Sequence, residues 1–405
     1  MKLFLAAYLL MFLAAFVGLA PVFQIIVPLH AGGIDPNAKT QILSQAMFWG
    51  ALVAAASNLI IGALSDRTRS RFGRRRPWIV AGVLLTLLSY VGLWKASTPA
   101  AFMWSVIGFQ LAFNAIVAPL SAVFADCVPL SLRSTISALM GLAYPLAVAL
   151  GSSLMALGPQ TELGRFMLLG ALLLTASVVF LLSSPEPDAS EPEKPMPRER
   201  VWRAGALIAP FRSRNFSVVW SSRLLIATGY AFVSTYLLFF ITDALNGAVG
   251  APERFHALMT GVGFAGVISV TALVAMFGKK VVDRQSFALI GAVVLCLATA
   301  LLSASSSGLF AVIAFAAYGV GQGAYGSVEM GLMADALPSA EDRGRDMGLN
   351  NLAVTLPQAI APLAALALTT TGADVRALYV AASACFIGAV VILALFRRSN
   401  LSVKT

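Results

Sequence analysis

Twelve apolar segments of membrane-spanning length recur along this chain of 405 residues. A helix needs about 20 predominantly apolar residues to cross a bilayer, and it satisfies its own backbone hydrogen bonds there. The predicted spans are residues 4–29, 42–64, 77–95, 101–124, 134–157, 166–183, 216–242, 257–277, 286–304, 308–333, 347–370 and 377–396. Charged residues make up 11% of the chain, whereas a soluble protein has about 25%. The sequence therefore predicts an all-α polytopic membrane protein.

The connection between the sixth and seventh spans differs from the others in being long and polar. Residues 183–205 read SSPEPDASEPEKPMPRERVWRAG, and a segment so rich in Pro, Glu and Ser cannot bury a core. We therefore expect three parts. They are an N-terminal six-helix bundle over residues 1–183, a cytoplasmic linker over 184–214 and a C-terminal six-helix bundle over 215–405.

Basic residues are distributed unequally between the two sides of the predicted membrane domain. An even number of spans places both termini on one side, and the loops and termini of that side hold 22 of the 28 Lys and Arg residues. Cytoplasmic loops carry the excess of Lys and Arg in membrane proteins. The sequence therefore predicts a protein of the plasma (inner) membrane with both termini in the cytoplasm. The same distribution accounts for the net charge of +10 without a nucleic-acid partner.

Two short motifs occur in both halves of the chain at nearly one spacing. FGRR at 72–75 is followed 205 positions later by FGKK, and Ala-Asp-x-x-Pro at 125–129 is repeated 209 positions later at 334–338. Each Ala-Asp-x-x-Pro is followed by an arginine, Arg133 or Arg343. Two matches in the same order indicate a duplicated six-helix unit. Parallel duplicated halves leave a substrate path between them, which suits transport by alternating access.

The most distinctive motif is GALSDRTRSRFGRRRPW, residues 62–78. We expect Gly62 to admit a neighbouring helix, and Asp66 to accept hydrogen bonds from helix N-terminal amides or from an arginine. Arg67 and the arginines at 74–76 are expected to pair with Asp126 or to contact acidic lipid headgroups. The predicted gating residues are Gly62, Ser65, Asp66, Arg67, Arg74, Asp126, Arg133, Asp335 and Arg343. The alternative is an arginine cluster that only fixes the topology.

This loop resembles the loop 2–3 signature of the major facilitator superfamily. With its SRFGRRRP extension it is most similar to the glycoside–pentoside–hexuronide cation symporters and the sucrose carriers, and the Ala-Asp-x-x-Pro motifs are similar to their loops 4–5 and 10–11. The resemblance implies two pseudo-symmetric six-helix bundles that rock about a central cavity, driven by substrate and often by a proton or sodium ion. Those carriers typically hold acidic residues within the N-terminal bundle. Spans 1, 2, 4 and 5 contain none away from their ends, which argues against cation coupling through this half.

Two charged residues lie inside predicted spans of the C-terminal half. Glu329 is in the tenth span. Placing a carboxylate within the membrane costs free energy, so such a residue is expected to have a function. It is expected either to carry a coupling proton or to pair structurally with an arginine. Arg223 is in the seventh span and has three interpretations: it binds an anionic substrate group, pairs with Glu329, or extends to the membrane interface.

Polar and aromatic residues near the middle of spans are the candidates for substrate contact, because a sugar needs hydrogen-bond partners and flat apolar faces. The preferred substrate-binding residues are Asn114, Tyr144, Gln322, Tyr325 and Gln358. Further candidates are Gln24, Asn58, Gln110, Tyr230, Tyr236, Tyr318 and Asn351. About half of the whole set is expected to form hydrogen bonds between helices instead.

The sequence thus predicts a secondary transporter of a sugar or glycoside, with a proton as the candidate coupling ion. Two alternatives stay open: an exporter of hydrophobic or amphipathic compounds, and a membrane assembly or delivery factor that uses the same fold. The sequence has no phosphate-binding P-loop, no spacing typical of metal ligands and no convincing set of nucleophile, base and orienting residue. We therefore expect no cofactor, no metal site and no enzymatic activity. His30 and His256 are expected near the non-cytoplasmic interface.

Overall fold

The computed structural model describes residues 2–70, 72–183, 209–245, 249–281, 283–336 and 352–402, and these residues form helices and no strands. Within these ranges, twelve helices are long and apolar enough to cross a membrane. The predicted all-α fold class with twelve transmembrane helices is confirmed. A part of the chain that carries most of the predicted linker, residues 184–208, lies outside the described ranges.

Six of the helices precede the predicted linker and six follow it. The first six are α1 (Lys2–Ile34), α2 (Lys39–Arg67), α3 (Arg76–Lys95), α4 (Pro99–Cys127), α5 (Leu130–Leu157) and α6 (Glu162–Ser183). The second six are α7 (Arg214–Ala244), α8 (Pro252–Val281), α9 (Arg284–Ala304), α10 (Gly308–Ala336), α11 (Pro357–Thr370) and α12 (Val375–Ser402).

Several helices begin where the sequence supplies a capping residue. The side chains of Thr98, Ser213 and Asp283 accept hydrogen bonds from backbone amides in the first turns of α4, α7 and α9. These bonds satisfy amides that have no partner within the helix. Proline at the start of α3 and α4 fits the same positions, since it lacks an amide proton.

The first helix of each half contains a π-helical turn. In α1 this turn is Val22–Ile26, and in α7 it is Phe240–Ala244. A π turn closes a wider ring than an α turn and often lies at a functional position. The turn in α1 separates the long segment Lys2–Pro21 from the short segment Val27–Ile34, which lies at the end of the unit opposite to the arginine-rich loop and is called the outer segment.

The chain divides into two compact units, Met1–Glu193 and Lys194–Thr405. The same helix pairs pack in each unit: α2 with α4, α3 with α4, α3 with α6, α1 with α5 and α1 with α6, and the corresponding pairs among α7–α12. The repetition of these pairs is the packing expected of a duplicated unit.

Two glycines at equivalent positions of the repeat lie at close contacts between helices. A Cβ atom added to Gly82 in α3 would lie 2.8 Å from Ile116 N in α4. A Cβ atom added to Gly291 in α9, 209 positions later, would lie 2.7 Å from Tyr325 N in α10. Because a side chain does not fit at either position, each glycine allows two helix backbones to approach directly.

Candidate functional site

The arginine-rich loop and the end of α4 form a polar cluster in the first unit. Arg75 is 7% exposed, and its Nη1 donates a hydrogen bond of 2.7 Å to Ser65 Oγ. Its Nε lies 3.3 Å from Asp126 Oδ2, and Ser65 in turn donates to Gly62 O at 3.0 Å. The arginine that pairs with Asp126 is therefore Arg75, whereas Arg67 is exposed. The cluster joins the end of α2, the start of α3 and the end of α4.

An equivalent pair lies in the second unit. Arg284 Nη1 lies 2.6 Å from Asp335 Oδ2, and both residues stand 209 positions after Arg75 and Asp126. Asp335 was among the predicted gating residues and Arg75 among the expected partners of Asp126, but Arg284 was not predicted. The signal that could have found Arg284 is the same offset, because an arginine occurs 51 positions before the aspartate in both halves.

The other predicted gating residues do not belong to these two pairs. A Cβ atom added to Gly62 would have no described atom within 4 Å, so the expected close approach of a helix at Gly62 is not observed in the described residues. Arg74 is half-buried. The side chains of Asp66 and Arg133 and the whole of Arg343 lie outside the described part of the chain, and their gating roles stay predictions.

The two charged residues predicted inside spans contact each other in the second unit. Arg223 Nε in α7 lies 2.8 Å from Glu329 Oε1 in α10, and the two side chains are 9% and 25% exposed. The Arg223 N–H is not aligned with the carboxylate, so this contact is an ion pair and not a linear hydrogen bond. Of the three interpretations of Arg223, the structure shows the pair with Glu329 and not an extension to the interface.

Three tyrosines lie on the same two helices as this ion pair. Tyr325 is buried one turn before Glu329 and is within hydrogen-bonding reach of Ser222. Tyr230 packs edge to face against Tyr318, with 5.9 Å between the ring centroids. The Tyr230 hydroxyl is buried and has no hydrogen-bond partner among the described residues. A buried hydroxyl without a protein partner indicates a water or ligand group beside it.

The preferred substrate-binding residues are found in different environments. Asn114 accepts a hydrogen bond of 3.0 Å from Asn58 Nδ2 and donates one to Gln110 O, so its amide joins α2 to α4 and is engaged at both ends. This is the interhelical use expected for part of the candidates. Tyr144 is 41% exposed and accepts a hydrogen bond of 3.4 Å from Gln24. Of the other two, Gln322 is half-buried and Gln358 is exposed.

A model of one protein family matches most of the chain. It is described as "MFS/sugar transport protein" and matches residues 1–373. The chain belongs to this family. The predicted resemblance to the major facilitator superfamily is confirmed, and the protein is an integral membrane protein of a transporter family.

Among curated proteins, an uncharacterized symporter from Synechocystis is similar to this family member over a short stretch. The two are 49% identical over 45 residues, which is 11% of the chain and 8% of the Synechocystis protein. The chain therefore matches only a small part of that relative's length.

Solved structures resemble this family member over nearly its whole length. A peptide transporter, POT, superposes with a TM-score of 0.72 at 16% identity, covering 98% of this chain and 93% of the other. The nucleoside transporter NupG superposes with a TM-score of 0.71 at 12% identity, covering 98% and 99%. At such low identities these similarities establish the fold alone, and the fold is that of the major facilitator transporters.

Proposed function

We propose that this family member is a symporter that takes up a sugar or glycoside together with a proton by alternating access. The observation that carries this proposal is the ion pair of 2.8 Å between Arg223 and Glu329, inside the membrane-spanning part of α7 and α10. The family is one of MFS/sugar transport proteins, and the Synechocystis relative is named a symporter. We further propose that the protein lies in the inner membrane with both termini in the cytoplasm.

Glu329 is the proposed proton carrier. A charge within the membrane is stable only when it is paired or solvated, and removing one partner of a buried pair costs about 3–5 kcal/mol. The Glu329 side chain is a quarter exposed, so a proton can reach its carboxylate. Proton binding neutralises the carboxylate and weakens its attraction for Arg223. The pair therefore has two electrostatic states, which is the property that a coupling site needs.

Three tyrosines of α7 and α10, Tyr230, Tyr318 and Tyr325, are the proposed substrate contacts. Flat aromatic faces stack on the apolar faces of a sugar ring, and hydroxyl groups exchange hydrogen bonds with its hydroxyls. Tyr230 offers a ring and a buried hydroxyl without a described partner, and Tyr318 and Gln322 lie on the facing helix. Tyr230 and Arg223 are seven residues apart in α7, which places them on one face of the helix. We therefore add Tyr230 to the proposed substrate-binding residues.

The two arginine–aspartate pairs are proposed to keep the helix ends of each bundle together during transport. Arg75–Asp126 joins α3 to α4, and Arg284–Asp335 joins α9 to α10. A bundle whose helix ends are held together moves as a unit. Rocking of the two halves requires each half to move in this way.

Uptake into liposomes tests this proposal. Purified protein is reconstituted, a pH gradient is imposed, and the accumulation of a panel of labelled sugars and glycosides is measured together with counterflow. We expect Glu329→Gln to lose accumulation driven by the gradient and to retain counterflow. Asp374→Asn, which changes an exposed carboxylate outside the spans, is the matched control and is expected to accumulate substrate as the wild type does.

Two results would contradict the proposal. Uptake of no sugar or glycoside, with and without the gradient, would exclude the substrate class. Full accumulation by Glu329→Gln would exclude Glu329 as the proton carrier.

A further inference from the structure

His30 contacts two acceptors at the end of the N-terminal bundle opposite to the arginine-rich loop. Its Nδ1 lies 2.7 Å from Glu162 Oε1 at the start of α6, and its Nε2 lies 2.5 Å from Ala96 O, just after α3. The ring stacks on Phe102 of α4 with an interplanar angle of 8°. One imidazole thus joins the outer segment of α1 to three other elements. We call His30, Glu162 and Ala96 O the outer clamp.

The outer clamp needs two protons to make both of its contacts. A carbonyl oxygen only accepts, so the contact with Ala96 O requires a proton on Nε2. A carboxylate oxygen and an unprotonated ring nitrogen repel each other, so the contact with Glu162 requires a second proton between Nδ1 and Oε1. With two protons, both contacts are hydrogen bonds and the pair is neutral overall. With one proton, either the Glu162 carboxylate or the Ala96 carbonyl faces an unprotonated ring nitrogen, and one of the two contacts is lost.

The second unit performs the same task with a cation that cannot lose its charge. Arg376 at the start of α12 donates 2.8 Å hydrogen bonds to Ala244 O at the end of α7 and to Ser303 O near the end of α9. Arg376 and Ala244 stand 214 positions after Glu162 and His30. The two clamps therefore join equivalent helices, and only the N-terminal one depends on pH, because an arginine remains protonated throughout the physiological range.

The other charged groups near the outer clamp have contacts of their own. The Asp35 carboxylate accepts hydrogen bonds from the amides of the turn that follows α1. The Lys95 ammonium lies over the Trp94 ring, and Arg165 Nε donates to Pro159 O. The charged residues on the surrounding elements are Asp35, Lys39, Lys95, Glu162 and Arg165, and of these Glu162 contacts the imidazole.

We propose that His30 and Glu162 form a proton-binding site that controls the outer segment of α1. When the site holds two protons, the outer clamp ties Val27–Ile34 to α6 and to the end of α3. When the second proton leaves, one of these two contacts is lost and the segment beyond the π turn is held less tightly. The clamp therefore stabilises the protein at low pH, and this contribution is lost as the pH rises. This inference does not depend on which substrate is transported.

Nuclear magnetic resonance of isotope-labelled histidine tests the protonation directly, because the chain contains only two histidines. The signal that disappears in His30→Arg identifies His30, and the remaining signal belongs to His256. We expect the wild-type His30 ring to share the second proton with Glu162 at about pH 7.5, where an isolated histidine is largely neutral. Glu162→Gln is expected to move the titration of His30 to lower pH. An unshifted His30 titration in the wild type would overturn the proposal.

Thermal unfolding in detergent gives an independent measurement between about pH 5 and 8. His30→Arg is the matched variant, since it places in the N-terminal clamp the kind of cation that the C-terminal clamp already has. As the pH rises, we expect the unfolding temperature of the wild type to fall relative to that of His30→Arg. In the isosteric variant Glu162→Gln, we expect the unfolding temperature to depend less on pH than in the wild type. Equal pH profiles for the wild type, His30→Arg and Glu162→Gln would overturn the proposal, and the resonance measurement decides the case if a variant fails to fold.

Discussion

Arg284 pairs with Asp335 across the ends of α9 and α10, with 2.6 Å between Nη1 and Oδ2. The corresponding pair in the first unit, Arg75 with Asp126, has the longer distance of 3.3 Å but is far more buried. The Arg284 side chain is 53% exposed and the Arg75 side chain 8%. The duplicated unit thus keeps the same pair in two different dielectric environments.

The difference in burial predicts unequal costs for the two arginine substitutions. We expect Arg75→Gln to lower the free energy of unfolding by about 1–3 kcal/mol, because it removes a buried charged donor from Ser65 and Asp126. Arg284→Gln is expected to cost less than about 1 kcal/mol, because solvent screens an exposed pair. Unfolding in detergent measures both, and equal losses would show that burial does not determine the strength of these pairs.

The close contacts at Gly82 and Gly291 predict a steric cost at matched positions. Gly82→Ala and Gly291→Ala each place a Cβ atom less than 3 Å from backbone, and we expect each to destabilise its unit by about 1–3 kcal/mol. Gly326→Ala in α10 is the control, since its Cβ would meet no described atom within 4 Å. There we expect no loss, or a gain of up to about 1 kcal/mol from helix propensity. A loss at Gly326 as large as that at Gly291 would contradict the steric explanation.

Removing the Tyr230 hydroxyl should separate ligand binding from stability. Because this hydroxyl is buried without a described partner, Tyr230→Phe is expected to leave the unfolding temperature unchanged or to raise it. It is also expected to weaken binding of the transported sugar. Tyr90→Phe is the matched control, because the Tyr90 hydroxyl donates a hydrogen bond of 2.7 Å to Gly18 O. Its loss is expected to cost about 1 kcal/mol. A stability loss in Tyr230→Phe as large as in Tyr90→Phe would point to a structural role for the Tyr230 hydroxyl.

Cys127, which lies beyond the apolar part of α4, should react with maleimides slowly at neutral pH. Burial raises the pKa of the Cys127 thiol above its usual value, and the negative charge of Asp126 raises it further. A raised thiol pKa means less thiolate, so the labelling rate is expected to increase with pH and to be faster in Asp126→Asn. The rate is measured in a background where Cys296→Ser and Cys385→Ser remove the other thiols. A rate that Asp126→Asn does not change would exclude the electrostatic contribution.

The helices themselves could be predicted because the membrane imposes a length and a composition on each span. The predicted and observed boundaries agree to within three residues where an apolar run meets a charged or proline-containing turn at Arg67 and Pro99. The π turn Val22–Ile26 could not be predicted, since its residues are as apolar as those on either side. The π turn differs from the neighbouring α-helical turns in its backbone hydrogen bonds, and the hydrophobicity of the residues does not determine these bonds.

The polar contacts were predictable only where a residue had few alternatives. Glu329 is the single acidic residue deep inside a predicted span, so Arg223 was already among its candidate partners. Asn114 had many possible partners, and a mid-span amide has the same sequence pattern whether it faces a cavity or Asn58. The partner of His30 is 132 residues away and has no local signal. The repeat does not indicate this partner either. In the second unit the charged residue, Arg376, lies at the position that corresponds to Glu162, and Ala244 lies at the position that corresponds to His30.

The π turn in α1 also fixes the angular position of everything beyond it. A π turn contains one more residue than the α-helical ladder would use, and each residue advances an α-helix by about 100°. Deleting one residue from Val22–Ile26 would therefore leave α1 continuous and equally apolar but would turn its last eight residues about the helix axis. His30 would then point away from Glu162, although its position along the helix axis would change by no more than the rise of one residue. The extra residue of the π turn therefore sets the rotation about the helix axis that directs the His30 side chain at Glu162.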